Sequence, residues 1–106
     1  MYSIIEYQYR DASGYSVNDE LLIEGLVSKD DLKALRPYFY DGEFFIPEEI
    51  GITPLQPMLW EKFGYSEDDH EWHKFIDVRE AHAVDMHLPA WGTKEDLFRR
   101  FHLLSD

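Results

Sequence analysis

The sequence predicts one small α+β domain over residues 1–106, with an antiparallel sheet and two or three helices packed on one face. A chain of 106 residues has the length of a single domain with a modest core. Hydrophobic residues make up 44% of the chain, which is more than disordered chains contain. Segments with strand-like alternation and segments with helical spacing follow one another in the order β-β-α-β-α-β-α, where the fifth element is a short helix.

The first two predicted elements form a hairpin. Residues 3–10 alternate apolar with polar side chains, as a strand with one wet face does, and the apolar ones are Ile5, Tyr7 and Tyr9. Residues 20–27 predict the partner strand. Gly14 is expected to take a positive φ in the turn-rich stretch between the two strands.

A helix is predicted next, over residues 28–42, with Ser28 as its N-cap. Pro37 would break the hydrogen-bond ladder of an interior turn, so we expect the helix to kink or end near Arg36. Residues 43–47 are short and apolar, and they predict a strand or an extended segment.

The remaining segments are predicted in order as a loop over 48–57, a short helix over 57–64, a strand over 73–84 with Phe75 and Ile76 buried, and an irregular stretch over 85–92. A final helix is expected to begin after Thr93, because Asp96 follows three residues later, as in a capping box. The apolar face of this helix comprises Leu97, Phe98, Phe101 and Leu104.

Composition excludes several functional classes. Cysteine is absent, which rules out disulfides and thiolate chemistry. The first residues lack the basic and apolar regions of a signal peptide, and no apolar run approaches a membrane span, so we expect a cytoplasmic protein. The net charge of −12 disfavours direct binding to nucleic acid or to an anionic membrane. The expected partners are basic protein surfaces.

The charge is concentrated in the middle of the chain. Residues 41–71 carry nine acidic and one basic residue, a net charge of −8. An outward-facing Phe44 ringed by carboxylates would form a patch that binds a basic partner. The predicted partner-binding residues are Asp41, Glu43, Phe44, Glu48, Glu49, Glu67, Asp68, Asp69 and Glu71. The alternative is a core strand over 43–47 with solvated flanks.

The sequence therefore favours a non-enzymatic, acidic interaction module with no catalytic residues and no cofactor. Its partner could be a nucleic-acid-binding protein, and in the sharpest form the module is an inhibitor that mimics DNA with its carboxylates. Acidity that serves only solubility is the competing interpretation. A homo-oligomeric structural protein that buries surplus aromatic side chains is a further alternative.

A metal-dependent hydrolase or nuclease is the alternative that the histidines suggest. His70 and His73 lie three residues apart in an acidic stretch, and a divalent metal is the cofactor this alternative would need. Further ligands would come from Asp68, Asp69, His82, Asp85 and His87. No HExxH pattern is present, however. The simpler interpretation is an acidic loop held down by Trp72 and Phe75, with both histidines bonded to nearby carboxylates.

Three short motifs carry a resemblance to a known family. YRDASGY (9–15), DGEFFIPEEIGI (41–52) and DDHEWH (68–73), together with LW (59–60), resemble motifs of a family of small, uncharacterised bacterial cytosolic proteins. The resemblance covers residues 7–76 and implies a compact cytosolic domain, but no reaction. From the residues themselves, YRDASGY is either a binding loop that presents the hydroxyl of Ser13 or, more simply, a hairpin turn in which Arg10 and Asp11 contact each other.

Overall fold

The computed structural model describes residues 1–65 and 70–104. The strands are β1 (Tyr2–Arg10), β2 (Ser16–Glu24), β3 (His73–Glu80) and β4 (Ala90–Thr93). The helices are α1 (Lys29–Ala34), α2 (Pro47–Ile50), α3 (Gln56–Phe63) and α4 (Lys94–Leu104), and 3₁₀ turns lie at Arg36–Tyr38 and Ala83–His87. The predicted α+β fold in a single small domain is confirmed.

The four strands form one mixed sheet in the order β3-β1-β2-β4. β1 pairs antiparallel with β2 and with β3, as expected of a predominantly antiparallel sheet. β4 instead joins β2 in parallel, with Leu22 opposite Ala90. The prediction of an irregular stretch over 85–92 was wrong at this point, because a four-residue strand without alternation has no local signal.

A β-bulge at Ile76 decides which side chains of β3 face the core. Tyr7 lies opposite Phe75 and Glu6 lies opposite Asp77, so Ile76 is the extra residue. The extra residue reverses the alternation, so that Phe75 and Val78 both pack on the core side. Ile76 remains 41% exposed, and its predicted burial was wrong for this reason.

The core lies on one face of the sheet, between β1 and β2 and the helices. Ile5, Tyr7 and Tyr9 are buried there, which confirms the predicted alternation. The segments that cover them contribute Leu35, Phe45, Ile50, Leu55, Leu59, Leu97 and Phe101, each at most 1% exposed. In α4 the predicted apolar face is confirmed except at its end, where Leu104 is exposed.

The other face of the sheet is covered in part by the turn Ala83–His87. Ile4 and Leu22 are buried on it. Arg79 donates two hydrogen bonds to the buried carboxylate of Asp85, at 2.8 and 3.0 Å. The His82 N–H donates a third, at 2.7 Å. These bonds hold the pKa of Asp85 well below its usual range.

Both predicted helix caps are confirmed. The Ser28 hydroxyl accepts from the Asp31 N–H, and the Asp31 carboxylate accepts from the Ser28 N–H. Thr93 and Asp96 make the same reciprocal pair before α4. The helix after Ser28 is shorter than predicted: α1 ends at Ala34, and a 3₁₀ turn holds Pro37, as expected of a residue that cannot continue an α-helix.

Residues 43–47 form no regular strand, but Phe44 and Phe45 lie in isolated β-bridges and Ile46 is extended, so the alternative prediction of an extended segment is confirmed for these three residues. Asp41 (φ 55°) and Gly42 (φ 69°) are both left-handed, and they close a tight turn in which Tyr40 and Phe44 pair. Pro47 then begins the single turn of α2, which was predicted as loop. The predicted short helix is confirmed as α3, with Gly64 at its end.

None of the helices in the described ranges is long and apolar enough to cross a bilayer.

Candidate functional site

Two aromatic side chains from distant segments stack on each other at the surface. The rings of Phe44 and Trp72 lie 5.8 Å apart, with 23° between their planes. Trp72 is 41% exposed and Phe44 is half-buried. The prediction that Trp72 holds its loop down in the core was wrong, whereas Phe75 does pack against the core.

Phe44 is held in place by its own tight turn. The Tyr40 N–H donates to the Phe44 carbonyl at 2.7 Å, and the Phe44 N–H donates back to the Tyr40 carbonyl at 2.9 Å. The next residue, Phe45, is 1% exposed and exchanges two backbone hydrogen bonds with His73, each of 2.8 Å. Consecutive side chains point to opposite sides of an extended backbone. Burial of Phe45 therefore turns Phe44 outward.

His73 takes the core position on the other side of the stack. It is 1% exposed and packs against Tyr7, Tyr9 and Phe45. Its Nε2 accepts a hydrogen bond from the Leu55 N–H at 3.0 Å. Nδ1 therefore carries the proton, which it donates to the carbonyl of Glu71 at 3.0 Å. Burial lowers the pKa of His73 to about 4, so the ring is neutral near pH 7.

The backbone before Trp72 is fixed by two further bonds. The Tyr9 hydroxyl, at the end of β1, donates to the carbonyl of His70 at 2.7 Å. The Trp72 N–H donates to Nδ1 of His70 at 3.0 Å. His70 and His73 were expected to form hydrogen bonds with nearby carboxylates. In the structure both rings form hydrogen bonds with backbone groups instead. The stack is thus supported by buried residues on both sides.

The acidic residues near the stack come from two segments. The Tyr40 hydroxyl donates to the carboxylate of Glu49 at 2.9 Å. That bond raises the pKa of Tyr40, and partial desolvation and the nearby charges of Glu49 and Glu71 raise it further. Glu43 lies 4.0 Å from the ammonium group of Lys74. Glu43, Glu49 and Glu71 therefore surround the stack. We call these three residues, together with Phe44 and Trp72, the acidic aromatic patch.

The other predicted partner-binding residues divide into two groups. Asp41 is exposed in the tight turn that holds Phe44, and Glu48 is exposed in α2. Glu67, Asp68 and Asp69 lie outside the described residues. The alternative interpretation of 43–47 as a core strand fits only Phe45 and Pro47, which are buried.

Three residues beside the stack were not predicted as site residues, namely Arg10, Tyr40 and Lys74. Arg10 was expected to pair with Asp11. Instead the Asp11 carboxylate accepts from the N–H groups of Ser13 and Tyr15, at 3.0 and 2.8 Å, and closes the hairpin turn. Only the tight turn and the β1–β3 pairing bring these residues to the stack, and neither is visible as a local sequence signal.

The metal interpretation of His70 and His73 stays a prediction, with constraints. A metal at His73 would have to displace the bond from Leu55 or the bond to Glu71, since these occupy both ring nitrogens. His82 and Asp85 belong to the turn that holds Arg79, and His87 is bonded to the Val84 carbonyl. Within residues 1–65 and 70–104, no group of three or more His, Asp or Glu side chains is arranged to hold a metal ion.

The motifs YRDASGY, DGEFFIPE and the described end of DDHEWH converge on this one region of the surface. No protein-family model, curated protein or solved structure matches the chain.

Proposed function

We propose that this chain is a non-enzymatic interaction module that docks on a basic protein surface through its acidic aromatic patch. The observation that carries the proposal is the position of the Phe44–Trp72 stack among Glu43, Glu49 and Glu71. Exposed aromatic side chains ringed by charge supply both parts of a protein interface. The rings bury apolar area, and the charges select the partner and speed association.

The surface is pre-organised for binding. Tyr9, Phe45 and His73 fix the backbone beneath both rings by hydrogen bonds of 2.7–2.8 Å. A partner would therefore not have to order a loop, which is one of the main entropic costs of association. The carboxylates lie on the same support, because Glu49 is held by Tyr40.

The sharper form of the proposal is an inhibitor that mimics DNA. Carboxylates spread over one face would imitate phosphates and occupy the nucleic-acid-binding surface of the partner. Such a partner, for example a nuclease or an effector of bacterial defence, carries a basic surface that suits a chain of net charge −12. We expect this inhibition to take place in the bacterial cytoplasm.

The experiment is an affinity capture from bacterial lysate at low and at high salt, read by mass spectrometry. The test variant is Glu43→Gln/Glu49→Gln/Glu71→Gln, which removes charge at the patch alone. The control variant is Glu24→Gln/Glu61→Gln/Glu80→Gln, which removes the same charge from exposed positions elsewhere. We expect a basic partner that the wild type and the control retain at low salt, and that the test variant and high salt both release.

A second arm tests the mimicry. Double-stranded DNA added to the captured complex should displace the protein if both occupy the same surface of the partner. A partner that is retained equally by the test variant, or whose retention does not depend on salt, contradicts the proposed surface. Retention that DNA does not affect would contradict the mimicry alone.

A further inference from the structure

A cleft lies beside the Phe44–Trp72 stack. It has a volume of about 390 Å³, within the range of small-molecule sites. In the ranges that the structure describes, three segments line it. They are the end of β1 and the residue after it, with Arg10 and Asp11, the tight turn with Phe44, and residues 70–74 around the start of β3, with His70, Trp72 and Lys74. The cleft shares Phe44 and Trp72 with the acidic aromatic patch, but its polar lining residues are different ones.

Aromatic rings form the apolar walls of the cleft. Phe44 stacks on Trp72 as described, and the His70 ring lies 6.0 Å from the Trp72 ring. The 41% exposure of Trp72 leaves much of its indole open to a ligand. A planar group placed there would gain an offset stacking contact in addition to the burial of apolar area.

The cleft is basic in a chain that is strongly acidic. Arg10 makes no side-chain hydrogen bond or ion pair with residues of the described ranges. Lys74 reaches Glu43 only at 4.0 Å. Among the described residues of the lining, the one carboxylate is that of Asp11, and one of its oxygens is committed to the two N–H groups of the hairpin turn. Two cations are thus available to an anionic group.

Arg10 lies over the hairpin turn, and a hydrogen bond to the backbone fixes the ring of His70. A guanidinium nitrogen of Arg10 lies 3.8 Å from where a Cβ of Gly14 would be, so the side chain folds back over the hairpin turn. Nδ1 of His70 accepts from the Trp72 N–H, which places the proton of the neutral ring on Nε2. His70 therefore adds a hydrogen-bond donor to a cleft that already holds two cations.

From this arrangement we infer that the cleft binds a small aromatic carboxylate, with the ring against Phe44 and Trp72 and the carboxylate between Arg10 and Lys74. Guanidinium and ammonium groups are the usual partners of a carboxylate, and their hydrogen bonds to it are stronger than neutral ones. The volume accommodates one planar ring system with a short acidic side chain, which defines the ligand class.

The test is a titration with indole-3-propionate, followed by NMR on the tryptophan indole N–H signals of the 15N-labelled protein. Trp72→Phe assigns the Trp72 signal by its loss. Trp91 is the internal reference, because its indole N–H donates to the Gly51 carbonyl at 2.7 Å, away from the cleft lining. Tryptamine, which carries the same ring with a positive charge, is the matched probe.

We expect saturable shifts of the Trp72 signal with indole-3-propionate, and weaker binding of tryptamine. Arg10→Gln/Lys74→Gln should raise the Kd for indole-3-propionate by about tenfold or more, since both charge-assisted contacts are lost. Lys62→Gln/Arg100→Gln removes the same charge from exposed positions outside the lining and should leave that Kd unchanged. Circular dichroism verifies that each variant is folded.

Three results would overturn the inference. They are the absence of a saturable Trp72 shift at millimolar indole-3-propionate, equal affinity for tryptamine, and an unchanged Kd in Arg10→Gln/Lys74→Gln. None of these depends on the proposed partner, so the cleft and the acidic aromatic patch can fail separately.

Discussion

His73 accepts a hydrogen bond from the Leu55 N–H at 3.0 Å, and this bond joins the start of β3 to the segment before α3. It requires a neutral imidazole, because a protonated Nε2 would face the donor with a second proton. Burial keeps the ring neutral by lowering its pKa to about 4. One of the two histidines that the sequence suggests as metal ligands is thus an acceptor inside the core, directly below the acidic aromatic patch.

His73 is expected to make folding stability depend on pH. Between about pH 6.5 and pH 4 the unfolded chain binds a proton at this residue that the folded protein does not bind. The free energy of unfolding should therefore fall as the pH is lowered through this window, by about 3 kcal/mol. Urea unfolding at several pH values measures this slope. His73→Gln should flatten it, whereas His87→Gln, at an exposed position, should not. Equal slopes in wild type and His73→Gln would contradict the assignment.

Tyr9→Phe is expected to loosen the backbone under Trp72. The substitution removes the donor to the His70 carbonyl and should cost about 1–3 kcal/mol of stability, since a part-buried acceptor loses its partner. Hydrogen exchange of the Trp72 amide should become faster. Tyr7→Phe is the matched control, because its hydroxyl donates to the Thr53 carbonyl instead. Equal exchange of the Trp72 amide in both variants would show that Tyr9 does not support the stack.

α4 should contribute to stability through one face. Phe101 is fully buried and contacts Phe39, Phe45 and Phe75, so Phe101→Ala should lower the free energy of unfolding by about 3–5 kcal/mol. Leu103 is 61% exposed, and Leu103→Ala should change the free energy of unfolding by less than about 0.5 kcal/mol. Chemical denaturation compares the two variants. Similar losses of unfolding free energy in the two variants would contradict the assignment of the buried face of α4.

The Arg79–Asp85 pair should resist acid. Since the pKa of Asp85 is held well below its usual range, its stabilisation is complete above about pH 4 and is lost only as the pH falls towards the lowered value. Asp85→Asn should lower Tm at pH 7 more than Asp77→Asn, because Asp77 makes an exposed pair with Lys29 at 3.7 Å. Thermal unfolding of both variants decides the order, and equal Tm values would contradict it.

Local signals explain which parts of the fold the sequence predicts. Ser28 with Asp31 and Thr93 with Asp96 are capping pairs within one turn, so both helix starts are visible in the sequence. β4 was missed because its parallel pairing with β2 depends on a distant segment. The bulge at Ile76 was missed for the same reason, since only the register against β1 reveals it.

In the candidate site, too, the features with a local sequence signal were predicted and those that depend on distant segments were not. The acidic segment was expected at a surface, because charge and composition are local properties. An outward-facing Phe44 was one of two interpretations, the other being a core strand over 43–47. The exchange of roles between Trp72 and His73 was not expected, since hydrophobicity alone favours burial of the indole. Hydrogen bonds to Leu55 and Glu71 make the smaller polar ring the better core residue, and they turn Trp72 outward.

The most direct test of the proposed function is the salt dependence of the affinity for the captured partner. If the acidic aromatic patch makes the contact, Kd should rise steeply with salt for the wild type and for Glu24→Gln/Glu61→Gln/Glu80→Gln. For Glu43→Gln/Glu49→Gln/Glu71→Gln, Kd should be higher at low salt and should rise less steeply as salt is added. The same salt dependence in all three proteins would show that general acidity attracts the partner, and would contradict the patch.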